Sequence, residues 1–151
     1  DDMSTARSRY GYIITYAGCP IVWAFKIQQE IALSSTEAEF IGLSYALRTT
    51  IPIMELLKEF HRAGHDIPSV HPQGHCKVFE DNSGAIEIAT VPKMRPRTKH
   101  INIKYHHFRS YVENGEITVN AITTDLQPAD MLTKPLNHTT LSRHRKTIMG
   151  W

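Results

Sequence analysis

Residues 31–40 constrain the fold most, because a short apolar run ends there and a long helix begins on two acidic residues. Ser34 or Ser35 suits the N-cap, since a serine hydroxyl accepts a hydrogen bond from an exposed amide of the first turn. Glu37 and Glu39 place negative charge where the helix dipole favours it. Because these acids are two positions apart, they point in different directions. One can cap the helix entrance, while the other can face a neighbouring sheet, where a carboxylate could bind a metal ion.

The length and composition indicate one soluble domain covering residues 1–151. The chain has 151 residues, of which 41% are hydrophobic and 21% are charged, enough for a sizeable core. No apolar run approaches the ~18 residues of a membrane span, and residues 1–9 lack the apolar core of a secretory signal. We therefore expect no membrane partner and no export, so Cys19 and Cys76 are predicted to be reduced thiols.

Positive charge is concentrated in two stretches, although the net charge is only +2. Residues 93–109 contain no acid, and residues 143–146 form a second basic run. Either stretch could be a solvated face, or it could contact a phosphate backbone. The basic side chains of the first stretch are Lys93, Arg95, Arg97, Lys99, Lys104 and Arg109, with His100, His106 and His107 between them.

The hydrophobic pattern predicts an α/β order of elements. Residues 10–16 and 21–26 are aromatic and β-branched and flank a turn, which predicts a hairpin. Residues 35–64 have helical periodicity, but Pro52 should interrupt it, giving two helices or one kinked helix. A loop follows over residues 65–74. The remaining predicted elements are a strand over 76–81, a helix over 85–90, a helix over 101–113, a strand over 116–122, a helical turn near Asp130 and a helix over 139–149.

Three acids stand at comparable points of this order: Glu39 on the first helix, Asp81 at a strand end and Asp130 at a helix start. The carboxyl ends of strands are where open α/β sheets place their chemistry. This arrangement resembles the ribonuclease H region of copia-type retrotransposon polyproteins. The resemblance covers nearly the whole of the present chain. The similar motifs are Gly11-Tyr12, Gly18-Cys19-Pro20 with Trp23, residues 32–40, Asp81-Asn82-Ser83-Gly84-Ala85, Arg97-Thr98-Lys99-His100-Ile101, Tyr105-His106, Glu113-Asn114-Gly115-Glu116 and residues 129–136.

The resemblance implies a ribonuclease H-like α/β fold, with a mixed sheet of an antiparallel hairpin plus parallel strands, flanked by helices. It implies cleavage of the RNA strand of an RNA–DNA hybrid, next to the reverse transcriptase of the same polyprotein. It also implies a cytoplasmic location within virus-like particles. The alternative is a non-catalytic ribonuclease H-like module that only binds or connects.

The resemblance also implies residue roles. Glu39, Asp81 and Asp130 match the family's metal-binding carboxylates, and Glu37 is a capping or supporting acid. Two Mg²⁺ or Mn²⁺ ions ~4 Å apart would stabilise the attacking and leaving oxygens of phosphodiester hydrolysis, and hard oxygen ligands select such ions. The expected contacts to the hybrid come from Lys93, Arg95, Arg97, Lys99 and His100.

The chain departs from the family at its N-terminus. The family's first strand carries an aspartate well before Gly11, whereas Asp2 lies nine positions before it in a stretch without strand-like residues. We therefore expect that strand to be missing, which leaves a gap between the hairpin and the strand of Asp81 and an impaired metal site. An upstream segment or a strand exchanged with a second copy should fill it, rather than inward movement of Asp1 and Asp2. Asn102 replaces an aspartate that is usual in the family.

The histidines allow a competing interpretation as a zinc site, because several fall within a short window at usable spacings. The window contains two prolines and a single thiol and lacks the regular paired spacing of zinc ligands, so zinc is disfavoured. The residues concerned are His61, His65, His71, His75 and Cys76.

Overall fold

A computed structural model describes residues 7–67, 75–91 and 103–151 of the protein, except for the side chains of residues 103 and 104. Within these ranges the chain is mixed α/β. The strands are β1 (Arg9–Tyr16), β2 (Cys19–Ile27), β3 (Cys76–Glu80) and β4 (Ile117–Ala121). The α-helices are α1 (Ser35–Arg62), α2 (Ser83–Thr90), α3 (Arg109–Glu113), α4 (Asp130–Thr133) and α5 (His138–Met149), with 3-10 turns at Ile103–His106 and Thr124–Leu126.

The predicted hairpin is present, with β1 and β2 paired antiparallel from Arg9 opposite Ile27 to Tyr16 opposite Cys19. Its two turn residues, Ala17 and Gly18, have φ of 50° and 78°. Positive φ at both central residues is the turn geometry that matches the right-handed twist of paired strands. The short connection therefore fixes the register that the alternating residues of β1 and β2 favour.

The entrance of α1 is capped as the sequence predicts. The Ser34 side chain accepts a hydrogen bond from the Glu37 amide at 3.1 Å, and Oε2 of Glu37 accepts one from the Leu33 amide at 2.8 Å. Two amides without helical partners are thereby satisfied. Glu37 is therefore a capping acid, and Glu39 is the acid that points elsewhere.

The expectation of two helices separated at Pro52 is wrong, because α1 is one helix of 28 residues with Pro52 inside it. Proline removes a single amide donor, and Pro52 lies on the exposed side of α1. Buried Leu47 and Met54 hold the helix on either side of it. Core packing therefore outweighs the local preference.

One window of 18 residues in α1 has a mean hydropathy of 1.2, which by length and composition alone would suit a membrane span. Uninterrupted apolar runs, on which the expectation of no membrane span rested, do not reveal such a window. Buried helices of soluble proteins meet the same criterion, and 44% of the window is buried inside the protein. Because α1 packs against β1 and α2, it serves as the central helix of the core.

The core packs α1 against β1 and against elements of the second half of the chain. The stacked rings of Tyr10 and Tyr45, 4.6 Å apart, fasten β1 to α1, and Tyr12 shares a hydrogen bond of 2.8 Å with Thr49. The buried apolar residues are Phe40, Ile41, Leu43, Leu47, Met54, Ala85, Ala89, Tyr105, Phe108 and Ile117.

The helix predicted over residues 101–113 is instead a 3-10 turn followed by the short α3. Tyr105 and Phe108, three positions apart, are 1% and 0% exposed. Tyr105 lies in the 3-10 turn and Phe108 at the N-cap of α3, so the core receives one buried ring from each element. Residues 101 and 102 of the expected helix lie outside the described ranges.

The described strands form two separate two-stranded sheets. Next to the antiparallel hairpin, β3 and β4 pair in parallel from Cys76 opposite Ile117 to Glu80 opposite Ala121. A cavity of about 920 Å³ is lined by both β1 and β3, and among the described strands β1 pairs only with β2 and β3 only with β4. The cavity is where the sequence predicts a gap, between the hairpin and the strand of Asp81.

Candidate functional site

Glu39, Asp81 and Asp130 all line this cavity, although they come from three separate elements. Glu39 lies in the second turn of α1, Asp81 follows the last residue of β3, and Asp130 is the first residue of α4. Since α4 packs against β1 and β2, Asp130 belongs to the hairpin side of the cavity and Asp81 to the parallel side. The cavity therefore has acidic groups on both of its sides.

The charges of these acids act on one another. Burial raises the pKa of Glu39 above its ordinary value, and the negative charges of Asp81 and Asp130 raise it further, while Lys134 lowers it. Burial and like charge both disfavour ionisation. A carboxylate in this position is stabilised by any cation that enters the cavity.

One cation already lies among the acids. The ammonium of Lys134 is 3.0 Å from each carboxylate oxygen of Asp130, four residues before it. Burial lowers the pKa of Lys134, but the hydrogen bond and charge of Asp130, with the charges of Asp81 and Glu39, raise it overall. The Asp130 side chain is 10% exposed and that of Lys134 is 45% exposed, so the carboxylate is largely buried while the lysine side chain reaches solvent.

Asp81 is held by the segment that follows β4. The Thr124 hydroxyl donates to Oδ2 of Asp81 at 2.9 Å, and the Gln127 side-chain amide donates to the Phe79 carbonyl at 3.0 Å. Both contacts fasten the 3-10 turn at Thr124–Leu126 to the end of β3. Sequence reasoning missed these two residues, because no local pattern relates them to a strand more than 40 residues away.

Glu80 is a second acid at the end of β3 and is only 7% exposed. Burial raises its pKa to about 8, with further contributions from Glu39 and Asp81, although a hydrogen bond from the Asn82 amide opposes the shift. The sequence analysis passed over Glu80. The alternation of β3 contains the signal, since Cys76, Val78 and Glu80 share the inward face.

Among the described residues, no three His, Cys, Asp or Glu side chains approach closely enough to hold a metal ion. This holds for Glu39, Asp81 and Asp130, which lie on α1, directly after β3 and at the start of α4. The chemistry of these three carboxylates still suits Mg²⁺ or Mn²⁺, which prefer carboxylate oxygens. The raised pKa of Glu39 is caused first by its burial and then by the negative charges of Asp81 and Asp130. The donors fit the ions in type and charge, and their role as ligands stays a prediction.

The zinc interpretation finds no support among the described histidines. The ring of His65 contacts Phe60 with centroids 5.8 Å apart, and Nε2 of His75 lies 3.0 Å from the Thr118 hydroxyl. His71 lies outside the described residues.

The residues predicted to contact the hybrid, together with Asn102, also lie outside the described ranges, so those contacts remain predictions. They are Lys93, Arg95, Arg97, Lys99 and His100. Of the flanking basic groups, Arg109 donates to the Ile88 carbonyl at 3.3 Å. In the second basic run, His144 is buried and Arg145 lies over the ring of Trp151, so both runs contain residues that stabilise the fold.

Three curated relatives match most of the chain. It is 34% identical over 133 residues to the retrovirus-related Pol polyprotein from transposon TNT 1-94 of Nicotiana tabacum, covering 88% of the chain and 9% of that relative. It is 33% and 34% identical over 141 residues to those from transposons RE2 and RE1 of Arabidopsis thaliana, covering 93% of the chain and 9% of each relative. No protein-family model matches the chain, and neither does a solved structure. The chain is therefore homologous to a short region of the retrovirus-related Pol polyproteins of plant transposons.

Proposed function

We propose that this chain is the ribonuclease H domain of a copia-type Pol polyprotein and hydrolyses the RNA strand of RNA–DNA hybrids with Mg²⁺ or Mn²⁺. The observation that carries the proposal is that Glu39, Asp81 and Asp130 line one cavity, although they come from three elements far apart in sequence. A structural role does not require three acids to face one cavity, because burial and the charges of Asp81 and Asp130 raise the pKa of Glu39 and disfavour its ionised form.

Each acid would contribute in its own way. Glu39, Asp81 and Asp130 would hold the divalent ions, which stabilise the charge that develops on the attacking and leaving oxygens of the phosphodiester. Thr124 keeps the Asp81 carboxylate oriented through its hydroxyl. Glu39 is partly removed from water, so its charge has a stronger effect on cations in the cavity than that of an exposed carboxylate would have.

The proposal includes a ribonuclease H-like fold in which an extended segment lies between β1 and β3 and joins the two half-sheets. What supports this is the cavity of about 920 Å³ lined by both strands. Unpaired strand edges recruit further strands. A bridging strand would also fix the hairpin side, with Asp130, relative to the parallel side, with Asp81. We propose that it comes from a segment upstream of Asp1 or from a second copy.

The test is Mg²⁺-dependent cleavage of an RNA–DNA hybrid labelled in its RNA strand. The 151-residue chain is compared with a longer form that its coding sequence extends upstream of Asp1. We expect slow cleavage by the short chain and faster cleavage by the longer form. Asp81→Asn or Asp130→Asn should abolish cleavage in both forms, because each removes a charged oxygen ligand.

The matched control is Glu113→Gln, which removes an exposed acid at the end of α3, outside the cavity. This variant should cleave as the unmodified chain does. Hybrid binding by both forms without cleavage would favour the non-catalytic connecting module instead. Cleavage that survives loss of Asp81 and of Asp130 would refute the proposed site.

A further inference from the structure

Lys134 has a place in the site that the proposed function does not explain. It follows the last residue of α4, which begins at Asp130, so the two side chains are four positions apart. This spacing brings an acid and a following base together on a helix. Lys134, Asp130, Glu39 and Asp81 all line the same cavity. The ammonium therefore lies where divalent ions would have to bind.

Both carboxylate oxygens of Asp130 are in contact with the ammonium of Lys134. Nζ lies 3.0 Å from Oδ1 and 3.0 Å from Oδ2, so the carboxylate faces the ammonium with both oxygens. An oxygen that accepts a hydrogen bond from the ammonium does not use the same lone pair for a metal ion. Binding of a divalent ion at Asp130 and the contact with Lys134 are therefore in competition.

The ammonium of Lys134 is also able to move away from Asp130. Its side chain is 45% exposed and consists of a flexible stem that ends in a strongly hydrated ammonium. Solvation compensates for much of the lost contact, because the energy of a partly exposed ion pair is modest. The carboxylate, with a side chain that is 10% exposed, has less access to water and depends more on a cation.

Resting on the proposed function, we infer that Lys134 is an internal counter-cation that neutralises Asp130 in the absence of divalent ions and is displaced from it when they bind. The lysine thereby sets the concentration of divalent ions at which the site fills. The opposite possibility is a positioning role, in which Lys134 stays on Asp130 and orients it for the metal. The two roles differ in the sign of the effect that removal of the ammonium has on metal affinity.

The test measures Mg²⁺ and Mn²⁺ binding by titration calorimetry, without hybrid, in the 151-residue chain and in the form extended upstream. Removing the competing charge with Lys134→Met should tighten metal binding by about tenfold, and added salt should reduce the difference. Lys134→Arg retains the cation and should bind metal like the unmodified chain. Lys134→Gln is the second neutral variant if the methionine variant does not fold.

The matched control is Lys58→Met, which removes an ammonium paired with Glu55 and Glu116 outside the cavity. It should leave metal affinity unchanged. In the unmodified chain, the ¹³Cε signal of Lys134 should move towards that of a solvated lysine as Mg²⁺ is added. This second measurement does not depend on the folding of any variant.

Unchanged or weaker metal binding by the neutral variants would overturn the inference, as would a Lys134 signal that does not respond to Mg²⁺. Absence of any divalent-ion binding to the unmodified chain and to the longer form would overturn it too. Failure of the proposed function looks different, because the metal would then displace Lys134 while no form of the protein cleaves the hybrid.

Discussion

Replacing the buried Glu80 by glutamine should remove most of the loss of stability that the protein undergoes as the pH rises. Glu80 is 7% exposed, and burial, with the nearby charges of Glu39 and Asp81, raises its pKa from 4.5 to about 8. Glutamine has the shape of the protonated acid. Its side-chain oxygen can still accept the hydrogen bond that the Asn82 amide donates to Oε1 at 3.0 Å.

The raised pKa fixes the direction and size of the effect. Between pH 4.5 and about 8 the folded state holds a proton that the unfolded state has released. The stabilisation is thus fully present below pH 4.5 and is lost as the pH rises through the folded pKa. One unit of pKa corresponds to ~1.4 kcal/mol, so the free energy of unfolding should fall by about 4 kcal/mol between roughly pH 5 and pH 9. In Glu80→Gln this contribution disappears.

The assay is urea unfolding in the presence of EDTA at several pH values. The variant should equal the unmodified chain near pH 4.5 and exceed it increasingly towards pH 9. Glu39, whose pKa is also raised, remains in the variant and leaves a smaller slope of the same sign. The control Glu59→Gln replaces an exposed acid of α1 and should retain the original profile. Parallel profiles for Glu80→Gln and the unmodified chain would refute the reasoning.

Three further changes test α1 and α2 by urea unfolding. Gly84→Ala should destabilise the protein by about 1–3 kcal/mol through overpacking, because its Cβ would lie 2.8 Å from Cγ2 of Thr36. Adding Thr36→Ala to Gly84→Ala should restore stability. If Gly84→Ala alone increased the free energy of unfolding, the Thr36 side chain would have moved to make room for the new methyl group. Asn82→Ala should cost about 1 kcal/mol, since it removes the N-cap of α2. Asn82→Asp should retain the cap. An equal loss of stability in Asn82→Ala and Asn82→Asp would contradict the capping role of this side chain. Pro52→Ala should stabilise α1 by about 1–3 kcal/mol by restoring an amide donor, so a lower urea midpoint would argue for a packing role of the ring.

The elements that the sequence predicted correctly depend on interactions between near neighbours. The hairpin follows from alternating side chains and a two-residue turn. The start of α1 follows from Ser34 and Glu37, which cap it through contacts within four residues. The placement of Glu39, Asp81 and Asp130 at element ends follows from the same local patterns. These acids line one cavity, but among the described residues no three such side chains lie close enough to hold a metal ion, so their convergence to metal-bridging range stays a prediction.

Tertiary structure decided what depends on distant neighbours. Continuity of α1 across Pro52 comes from the core on both sides of that residue, and the division of the expected helix into a 3-10 turn and the short α3 is seen only in the folded chain. The raised pKa of Glu80 and the pairing of Lys134 with Asp130 depend on which surfaces enclose the cavity. Burial and charge pairing are properties of atoms brought together across the fold, so local periodicity and propensity, which specify helices and strands, do not determine them.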